Sequence, residues 1–193
     1  MLEVLRQYLA NKVGVTNEQF EKLEPLLTAR TLKKGEVILN AGDICKRTTF
    51  IEKGCLRSYV IDKKGKEHII SFAPENWWLA DQNSLVKDQP AMFYIDAVED
   101  SEVIFMEGHV QKVLEEVIPG SQQMFAQLTQ NNIFAMQKRL VNHLSATADE
   151  RYLDFIETYP SLALRLPQKM IAAYIGVAAE SLSRIRGQIL VKR

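Results

Sequence analysis

The sequence predicts an α+β protein in which an N-terminal antiparallel β-roll of the jelly-roll type precedes one long helix and a C-terminal helix-turn-helix. Three observations predict it. Short β-rich runs separated by turns lie between residues 31 and 106, a helical periodicity runs from 121 to 145, and a glycine at 176 separates two short amphipathic segments. A chain of 193 residues is long enough for one well-buried core and a second small domain.

Apolar residues at helical spacing predict short helices from residue 2 to about residue 27. The β-rich runs that follow are Val37–Leu39, Thr49–Ile51, Leu56–Ile61, His68–Phe72, Phe93–Val98 and Val103–Met106. Turn sequences such as Lys34-Gly35 and Lys53-Gly54 separate them. Many short strands at regular spacing are typical of an antiparallel barrel, jelly roll or sandwich.

Pro119 separates a short predicted helix, His109–Val117, from a long one, Ser121–Ser145. The long helix carries two apolar stripes: Ile133, Met136, Leu140 and Leu144 in the first, and Phe134 and Val141 in the second. A helix that is apolar on two faces needs two partners, so we expect one face to pack on the roll and the other on the same helix of a second subunit. The alternative is a helix buried within a single chain.

A shorter predicted helix, Thr147 to Tyr159, leads into the helix-turn-helix. Ala172 is small where its two helices would touch, and Gly176 can adopt the positive φ of a sharp turn. The apolar residues expected to face inward are Ile171, Ile175, Val177, Leu182 and Ile185. The polar residues expected on the outer face of the second helix are Glu180, Ser181, Ser183, Arg184 and Arg186. The alternative is an ordinary αα-hairpin, which does not need arginines and serines clustered on one helix.

The charge is distributed unevenly along a chain whose formal net charge is zero. From residue 160 onward there are six cations (Arg165, Lys169, Arg184, Arg186, Lys192 and Arg193) and one anion, Glu180, so this part carries +5 and the preceding 159 residues carry −5. A basic segment on an acidic body is typical of nucleic-acid-binding proteins. Because a short basic segment also raises solubility, the asymmetry only supports this interpretation.

The two cysteines, Cys45 and Cys55, have a spacing that matches no common zinc or iron–sulfur pattern, which favours free thiols in a reducing cytoplasm. The chain has no apolar run of about 18 residues, so no membrane span is predicted. Its first residues indicate an amphipathic helix rather than a signal peptide. The histidines share no metal-ligand spacing: His68, His109 and His143. We therefore expect no metal, no cofactor and no enzymatic activity of the cupin type.

The order of roll, long helix and helix-turn-helix resembles the Crp-Fnr family of bacterial transcription regulators from about residue 20 to residue 190. The motifs PQK, from Pro167, and ESLSRIR, from Glu180, are similar to those of small members from Bacteroidetes-type bacteria. The resemblance implies a cyclic-nucleotide-binding-like sensor domain with flanking helices at 1–118, a dimerisation helix at 119–146 and a DNA-binding domain at 147–193. It implies a homodimer that reads a palindromic operator in double-stranded DNA. RNA polymerase is a further candidate partner.

In the family's recognition helix a glutamate and a following arginine contact base edges, and Glu180 and Arg184 occupy these positions. A carboxylate can accept from cytosine N4, and a guanidinium can donate to guanine O6 and N7. The alternative is a surface ion pair between residues four apart. A family arginine just before the glutamate is Ala179 here, so one base contact is either missing or replaced by contact with a thymine methyl group. Phosphate contacts are expected from Gln168, Lys169, Ser181, Ser183 and Arg186.

The founding members of the family bind cyclic AMP through a glycine-containing turn, an arginine on the phosphate and a glutamate on the ribose. This chain has no glycine between Gly65 and Gly108 and no arginine between Arg57 and Arg139. Ala91 or a near neighbour stands where the arginine is expected. The sequence therefore predicts a degenerate sensor domain that does not bind cyclic AMP in the familiar way.

Trp77 and Trp78 replace the phosphate turn, and adjacent residues on an extended segment point to opposite sides. We expect one to enter the roll and the other to face the long helix. With Glu75, Phe93 and Tyr94 they either line a pocket for an unknown effector or fill the vacated pocket as core, and core filling is the preferred interpretation.

Together these patterns predict a dimeric, cytoplasmic, sequence-specific DNA-binding regulator. Two alternatives stay open: an interaction module whose helix-turn-helix binds protein rather than DNA, and a regulator controlled by a non-nucleotide small molecule.

Overall fold

The computed structural model describes residues 2–191, without the side chains of residues 111, 112, 190 and 191. The chain forms two compact units. The first contains the residues up to Val60 and Ser71–Thr129, and the second contains Ile61–Ile70 and the residues from Gln130 onward. The predicted domains 1–118, 119–146 and 147–193 remain a prediction. The boundary between the two compact units falls inside the long helix.

The first unit begins with helices α1 (Glu3–Val13) and α2 (Asn17–Leu23), followed by a short 3-10 turn. Thr16 caps α2 through a capping box with Gln19, which satisfies N–H groups that the first turn of a helix leaves unpaired. These helices match the predicted helical segment up to residue 23, and strand structure begins at residue 27.

Eight strands build a roll, which belongs to the first unit apart from residues 61–70. They are β1 (Leu27–Leu32), β2 (Val37–Leu39), β3 (Arg47–Lys53), β4 (Leu56–Ile61), β5 (Glu67–Ala73), β6 (Trp78–Leu79), β7 (Tyr94–Ala97) and β8 (Ser101–Glu107). A short helix, α3 (Gln82–Lys87), lies between β6 and β7. The strands form two four-stranded sheets with the orders β1-β8-β3-β6 and β2-β7-β4-β5, and the pairings of β8 with β1 and β3 and of β7 with β2 and β4 are antiparallel. The predicted antiparallel roll is confirmed.

The space between the two sheets holds an apolar core. Its buried members come from strands of both sheets and from the loops between them: Leu32, Leu39, Cys45, Ile51, Leu56, Ala73, Leu79, Ala91, Ile95, Ala97, Val103 and Phe105. Inward and outward side chains alternate along a strand, so Ile51 of β3 lies in this core while the neighbouring Phe50 lies in a second one.

The second apolar cluster of this unit packs helices against β3 and β8. It includes residues of α1, α2, α4 (Val110–Val117) and the first turns of α5 (Ser121–Ser145). Glu115 fixes the start of α5, since its carboxylate accepts from the Gly120 and Gln122 N–H groups at 2.9 and 2.8 Å. The long helix has the bounds that the sequence predicts.

The second compact unit is helical apart from the tip of the β4–β5 hairpin, residues 61–70. After α5 come α6 (Ala148–Thr158), α7 (Pro160–Arg165), α8 (Gln168–Ile175) and α9 (Ala179–Val191). Thr147 caps α6 in a capping box with Glu150. The sequence pattern does not predict β1, β6, α3 or α7, because segments of two to six residues carry too few periods to be recognised.

Candidate nucleic-acid interface and sensor region

The turn between α8 and α9 depends on Gly176. This residue adopts the left-handed conformation, with φ 74° and ψ 35°, and its N–H donates to the Ala172 carbonyl. A Cβ atom at this position would lie 3.1 Å from Cε1 of His143, closer than ordinary van der Waals contact. Both the backbone conformation and the close approach of α5 therefore favour glycine.

The apolar side chains of α8 and α9 form a buried seam. Ile171, Ala172, Ile175, Leu182 and Ile185 are each at most 4% exposed, and Val177 is half-buried. Residues three and four apart lie on one helix face, so α8 and α9 present these groups to each other and to the rest of the second unit. These are the inward positions that the sequence predicts.

The residues predicted to contact DNA are divided between exposed and half-buried positions of α8 and α9. The exposed members are Gln168, Lys169, Glu180, Ser183 and Arg184, and the half-buried members are Ala179, Ser181 and Arg186. No ion pair joins Glu180 to Arg184 within residues 2–191. Lys192 and Arg193, which the predicted basic segment includes, lie outside the described residues.

Two arginines that the sequence analysis did not single out hold the C-terminal end of α8. Arg139 of α5 donates from Nη2 to the Tyr174 carbonyl at 3.2 Å. Arg151 of α6 donates from Nε to the Ile175 carbonyl at 2.9 Å and from Nη1 to the Ala146 carbonyl at 2.8 Å. The last carbonyls of a helix have no partner within it, and cations stabilise this end of the helix dipole. Both arginines thus fix the direction in which α8 enters the turn.

Aromatic rings pack beside this anchor. Phe155, Tyr159 and Tyr174 have ring centroids 5.4–6.0 Å apart, and burial raises the pKa of the Tyr159 hydroxyl. The guanidinium of Arg139 lies 4.0 Å from the centre of the Tyr174 ring, a cation–π geometry. Sequence spacing could not reveal this cluster, because its members come from α6, the α6–α7 junction and α8.

The predicted dimerisation stripe is exposed in the described chain. Its members are Ile133, Met136, Leu140 and Leu144, and Leu144 is 80% exposed. The second stripe, Phe134 and Val141, is exposed as well. The N-terminal part of α5 differs, since Met124 is buried and Phe125 and Leu128 pack against the second apolar cluster of the first unit. The helix thus has a packed N-terminal part and an apolar surface on its C-terminal part.

The residues predicted for an effector pocket do not come together. Trp78 packs between Tyr8, Phe50 and Phe125, with ring centroids 5.0–6.3 Å away, so it faces α1 and the long helix. Trp77 is 42% exposed. Tyr94 stacks on Tyr59 at 5.3 Å.

Glu75 and Phe93 complete this set. The Glu75 carboxylate accepts from the Gly54 N–H at 2.9 Å, and Phe93 is half-buried. None of the five predicted residues lines the cavity of the roll. That cavity, of about 220 Å³, is lined by Ile38, Leu39, Ile44, Cys45, Lys46, Arg47, Thr49, Leu79, Ala80, Ile95 and Glu107.

Asp81 is a polar residue of the sensor region that the sequence analysis did not single out. It is 1% exposed, and its carboxylate accepts from the Ser84 N–H at 3.0 Å and from the Met92 N–H at 2.7 Å. The first bond caps α3, and the second reaches the residue after Ala91. The Ser84 hydroxyl in turn accepts from the Cys45 N–H at 2.8 Å. Charged acceptors make strong hydrogen bonds to N–H groups, so Asp81 closes this corner of the roll.

Within the described residues, no group of three or more His, Cys, Asp or Glu side chains has the arrangement of a metal site. No helix of residues 2–191 combines the length and apolar character that crossing a bilayer requires. Cys45 and Cys55 are both buried, and neither forms a disulfide within residues 2–191.

Comparison with known sequences matches residues 29–116 to the cyclic nucleotide-binding domain family. The Electron transport regulator A of Shewanella oneidensis is 24% identical over 190 residues, which cover 93% of this chain and 73% of that protein. The Transcriptional activator protein anr of Pseudomonas aeruginosa is 23% identical over 185 residues, covering 90% and 75%. Both alignments cover about nine tenths of this chain and so extend well beyond residues 29–116.

Two solved structures share the fold. FixK2 from Bradyrhizobium japonicum superposes with a TM-score of 0.76 at 17% identity, over 86% of this chain and 85% of that one. A transcriptional regulator of the Crp-Fnr family from Eubacterium rectale superposes with a TM-score of 0.70 at 16% identity, over 96% and 88%. In its matched domain, in relatives that align with nine tenths of its length and in its fold, the chain is similar to regulators of the Crp-Fnr family.

Proposed function

We propose that the protein is a dimeric transcriptional regulator that binds a palindromic operator in double-stranded DNA. The observation that carries the proposal is the helix-turn-helix itself, with its glycine turn, its buried apolar seam and an outer face that presents Glu180 and Arg184 to solvent. The Crp-Fnr relatives, which are named as regulators, support a non-catalytic role.

The recognition helix α9 reads base edges through Glu180 and Arg184. The two residues are separated by about one helical turn, so both groups can reach into the same major groove. Because neither is joined to the other by an ion pair in the described part of the chain, both are available for a base. Ala179 offers a methyl group to thymine, while Gln168, Lys169, Ser181, Ser183 and Arg186 contact phosphates and hold the helix in register.

The homodimer forms along the C-terminal part of α5. The exposed stripe of Ile133, Met136, Leu140 and Leu144 is apolar surface in contact with water. Burying it against the same helix of a second subunit would stabilise the pair by about 25 cal/mol for each Å² of apolar surface removed from water. A two-fold axis parallel to this seam gives two copies of α9, as an operator of two half-sites requires.

The sensor domain is degenerate with respect to cyclic AMP. An incoming phosphate would need free N–H donors and a cation near Ala91, but the Met92 N–H already donates to Asp81. A carboxylate at this corner would also repel the phosphate. Glu75, the other acid of the segment, is bound to the Gly54 N–H.

Selection from a pool of random duplexes tests the DNA-binding proposal. The wild-type protein is expected to enrich a palindrome whose half-sites lie about one helical turn (~34–36 Å) apart. Sedimentation of the complex with an enriched duplex should then give two protein chains per duplex. If a dimeric, folded protein enriches no palindrome, the proposal is wrong and the alternative, a helix-turn-helix that binds protein, takes its place.

A screen with cyclic AMP and cyclic GMP tests the sensor proposal separately. A ligand that binds only the folded state raises the melting temperature. Because the sensor domain is proposed not to bind cyclic nucleotides, neither nucleotide is expected to raise the melting temperature at millimolar concentration. A dose-dependent rise with either nucleotide would contradict the degenerate assignment.

A further inference from the structure

Arg139 joins three segments of the second unit through one side chain. Its Nη2 donates to the Ile69 carbonyl at 2.7 Å and to the Tyr174 carbonyl at 3.2 Å, and its Nη1 donates to the Ile70 carbonyl. Ile69 and Ile70 lie on β5 at the base of the β4–β5 hairpin tip, and Tyr174 lies in the last turn of α8. One guanidinium on α5 therefore bridges the hairpin and the helix-turn-helix.

The hairpin side of this bridge is well ordered by its own bonds. The Asp62 carboxylate accepts from the Lys64 N–H at 2.8 Å, from the Lys66 N–H at 3.0 Å and pairs with Nε2 of His68 at 2.9 Å. The Asp62 N–H also donates to the Lys66 carbonyl. These bonds close the turn, so the carbonyls of Ile69 and Ile70 are presented in a defined direction.

The helix side is equally specific. The carbonyls of Tyr174 and Ile175 end α8 immediately before Gly176, and Arg139 and Arg151 each bind one of them. The planar guanidinium also lies over the Tyr174 ring, which fixes its tilt. A shift of Arg139 would therefore move the end of α8 and, through the glycine turn, the start of α9.

Because the Arg139 guanidinium is largely buried, it depends on its acceptors in both the hairpin and α8. The Nε atom of Arg139 is buried and has no hydrogen-bond partner within the described residues, and burial lowers the pKa of the guanidinium. A partly desolvated cation depends on its remaining acceptors for stabilisation. Two of its three acceptors, the Ile69 and Ile70 carbonyls, belong to the hairpin. If the hairpin moves, the guanidinium either loses these two hydrogen bonds or follows the hairpin and breaks its bond to the Tyr174 carbonyl.

We propose that Arg139 is a positioning residue that transmits the position of the hairpin tip, residues 61–70, to the turn of the helix-turn-helix. The hairpin strands β4 and β5 continue into the roll, so a change in the roll has a covalent path to Ile69 and Ile70. The consequence for DNA reading rests on the proposed function, whereas the coupling between hairpin and turn does not.

Hydrogen exchange on the full-length protein without DNA tests the coupling. In Arg139→Met, the amides of residues 67–70 and of residues 174–177 are expected to exchange faster together, by about tenfold, while those of α6 keep their rates. Lys138→Met is the matched control, since Lys138 is exposed and pairs only with Asp154 among the contacts described for it. It removes a cation from the adjacent position and should leave both segments unchanged.

The conservative variant separates a bridge from a simple charge. Arg139→Lys keeps the charge, but one ammonium cannot reproduce the planar fork that meets three carbonyls and the ring. It should therefore exchange like Arg139→Met, and it is the variant to use if Arg139→Met does not fold. Exchange at wild-type rates in Arg139→Lys, acceleration in only one of the two segments, or uniform acceleration throughout α6–α9 would each overturn the proposal.

A double-mutant cycle tests the consequence for DNA, with the duplex enriched by the wild-type protein as the probe. Asp62→Ala loosens the hairpin far along the chain from α9, and it should weaken binding to this duplex several-fold without changing binding to a random duplex. In the Arg139→Met background the same substitution should have no further effect. Additive effects of the two substitutions would overturn the proposal. If no duplex is enriched, the proposed function fails, while the exchange experiment still decides the coupling.

Discussion

Arg184 is the residue whose side chain most directly determines which DNA sequence the proposed regulator would bind. A guanidinium can donate two parallel hydrogen bonds to guanine O6 and N7, and Arg184 is exposed on the outer face of α9. The sequence alone predicts this position, because the apolar residues Leu182 and Ile185 mark the inward face and residue 184 lies on the other side of the same turn.

Replacing Arg184 by alanine is expected to reduce the free energy of operator binding by about 1–3 kcal/mol and to relax the preference at one base pair. Fluorescence anisotropy with the enriched duplex and its single-base variants measures both effects. Lys169→Ala is the control, because a phosphate contact should weaken binding to all duplexes alike. Equal losses on specific and random DNA for Arg184→Ala would reassign it as a phosphate contact.

Gly176 is the residue on which the turn depends. Gly176→Ala places a Cβ in the left-handed region and against the His143 ring, so we expect the free energy of unfolding to fall by about 1 kcal/mol or more. Gly187→Ala in α9 is the opposite case, since among the described atoms outside its chain neighbours and the nearby helix backbone none lies within 4 Å of the added Cβ. It should stabilise the helix by about 0.5–1 kcal/mol. Urea unfolding of both variants gives the comparison, and a neutral Gly176→Ala would contradict the strain.

At the scale of elements, the long helix shows what a sequence pattern can and cannot predict. The bounds of α5 and the spacing of its apolar stripes follow from a local periodicity of 3.6 residues. Which partner each part meets does not, since Phe125 and Leu128 find theirs in the first unit while Leu140 and Leu144 stay exposed. The sequence pattern does not predict the short elements α3, α7 and β6, because their stability comes from capping and tertiary packing and not from a local periodicity.

Leu140→Glu is expected to convert the dimer to a monomer at micromolar concentration. Each Leu140 side chain that leaves an apolar seam loses about 1.5–3 kcal/mol, and two-fold symmetry counts the loss twice. Sedimentation velocity measures the result. Ala135→Glu, which adds the same charge at an exposed position on the opposite side of the same helix, should leave the dimer intact. A Leu140→Glu protein that remains dimeric would place the interface elsewhere.

At the scale of the whole molecule, stability is expected to fall in mild acid because of His143. Burial lowers its pKa below the usual 6.5, and Arg139 and Arg151 lower it further. The unfolded chain then binds a proton more readily, so the contribution of His143 is fully present above pH 6.5 and is lost as the pH falls through the lowered value.

The pKa of Asp62 is lowered from 3.8 to about 2, chiefly by the bond to His68 and then by the Lys66 and Lys64 N–H groups. Its contribution is present above pH 3.8 and disappears towards pH 2. Urea unfolding of the wild type and of His143→Gln at several pH values isolates the contribution of His143. The urea midpoint of the wild type should fall between neutral pH and pH 5, whereas that of His143→Gln should not. Parallel curves for the two proteins would contradict the assignment to His143.

The sequence by itself determined the order of roll, long helix and helix-turn-helix, the glycine turn and the outward residues of α9. These depend on interactions within a few residues, which leave a period of two or 3.6 in the chain. Only the tertiary structure decided that Trp78 packs on Phe125, that Asp81 binds the Met92 N–H and that Arg139 bridges the hairpin and α8. Each of these joins residues from different elements, up to 70 positions apart in the chain, through geometry that no local pattern encodes.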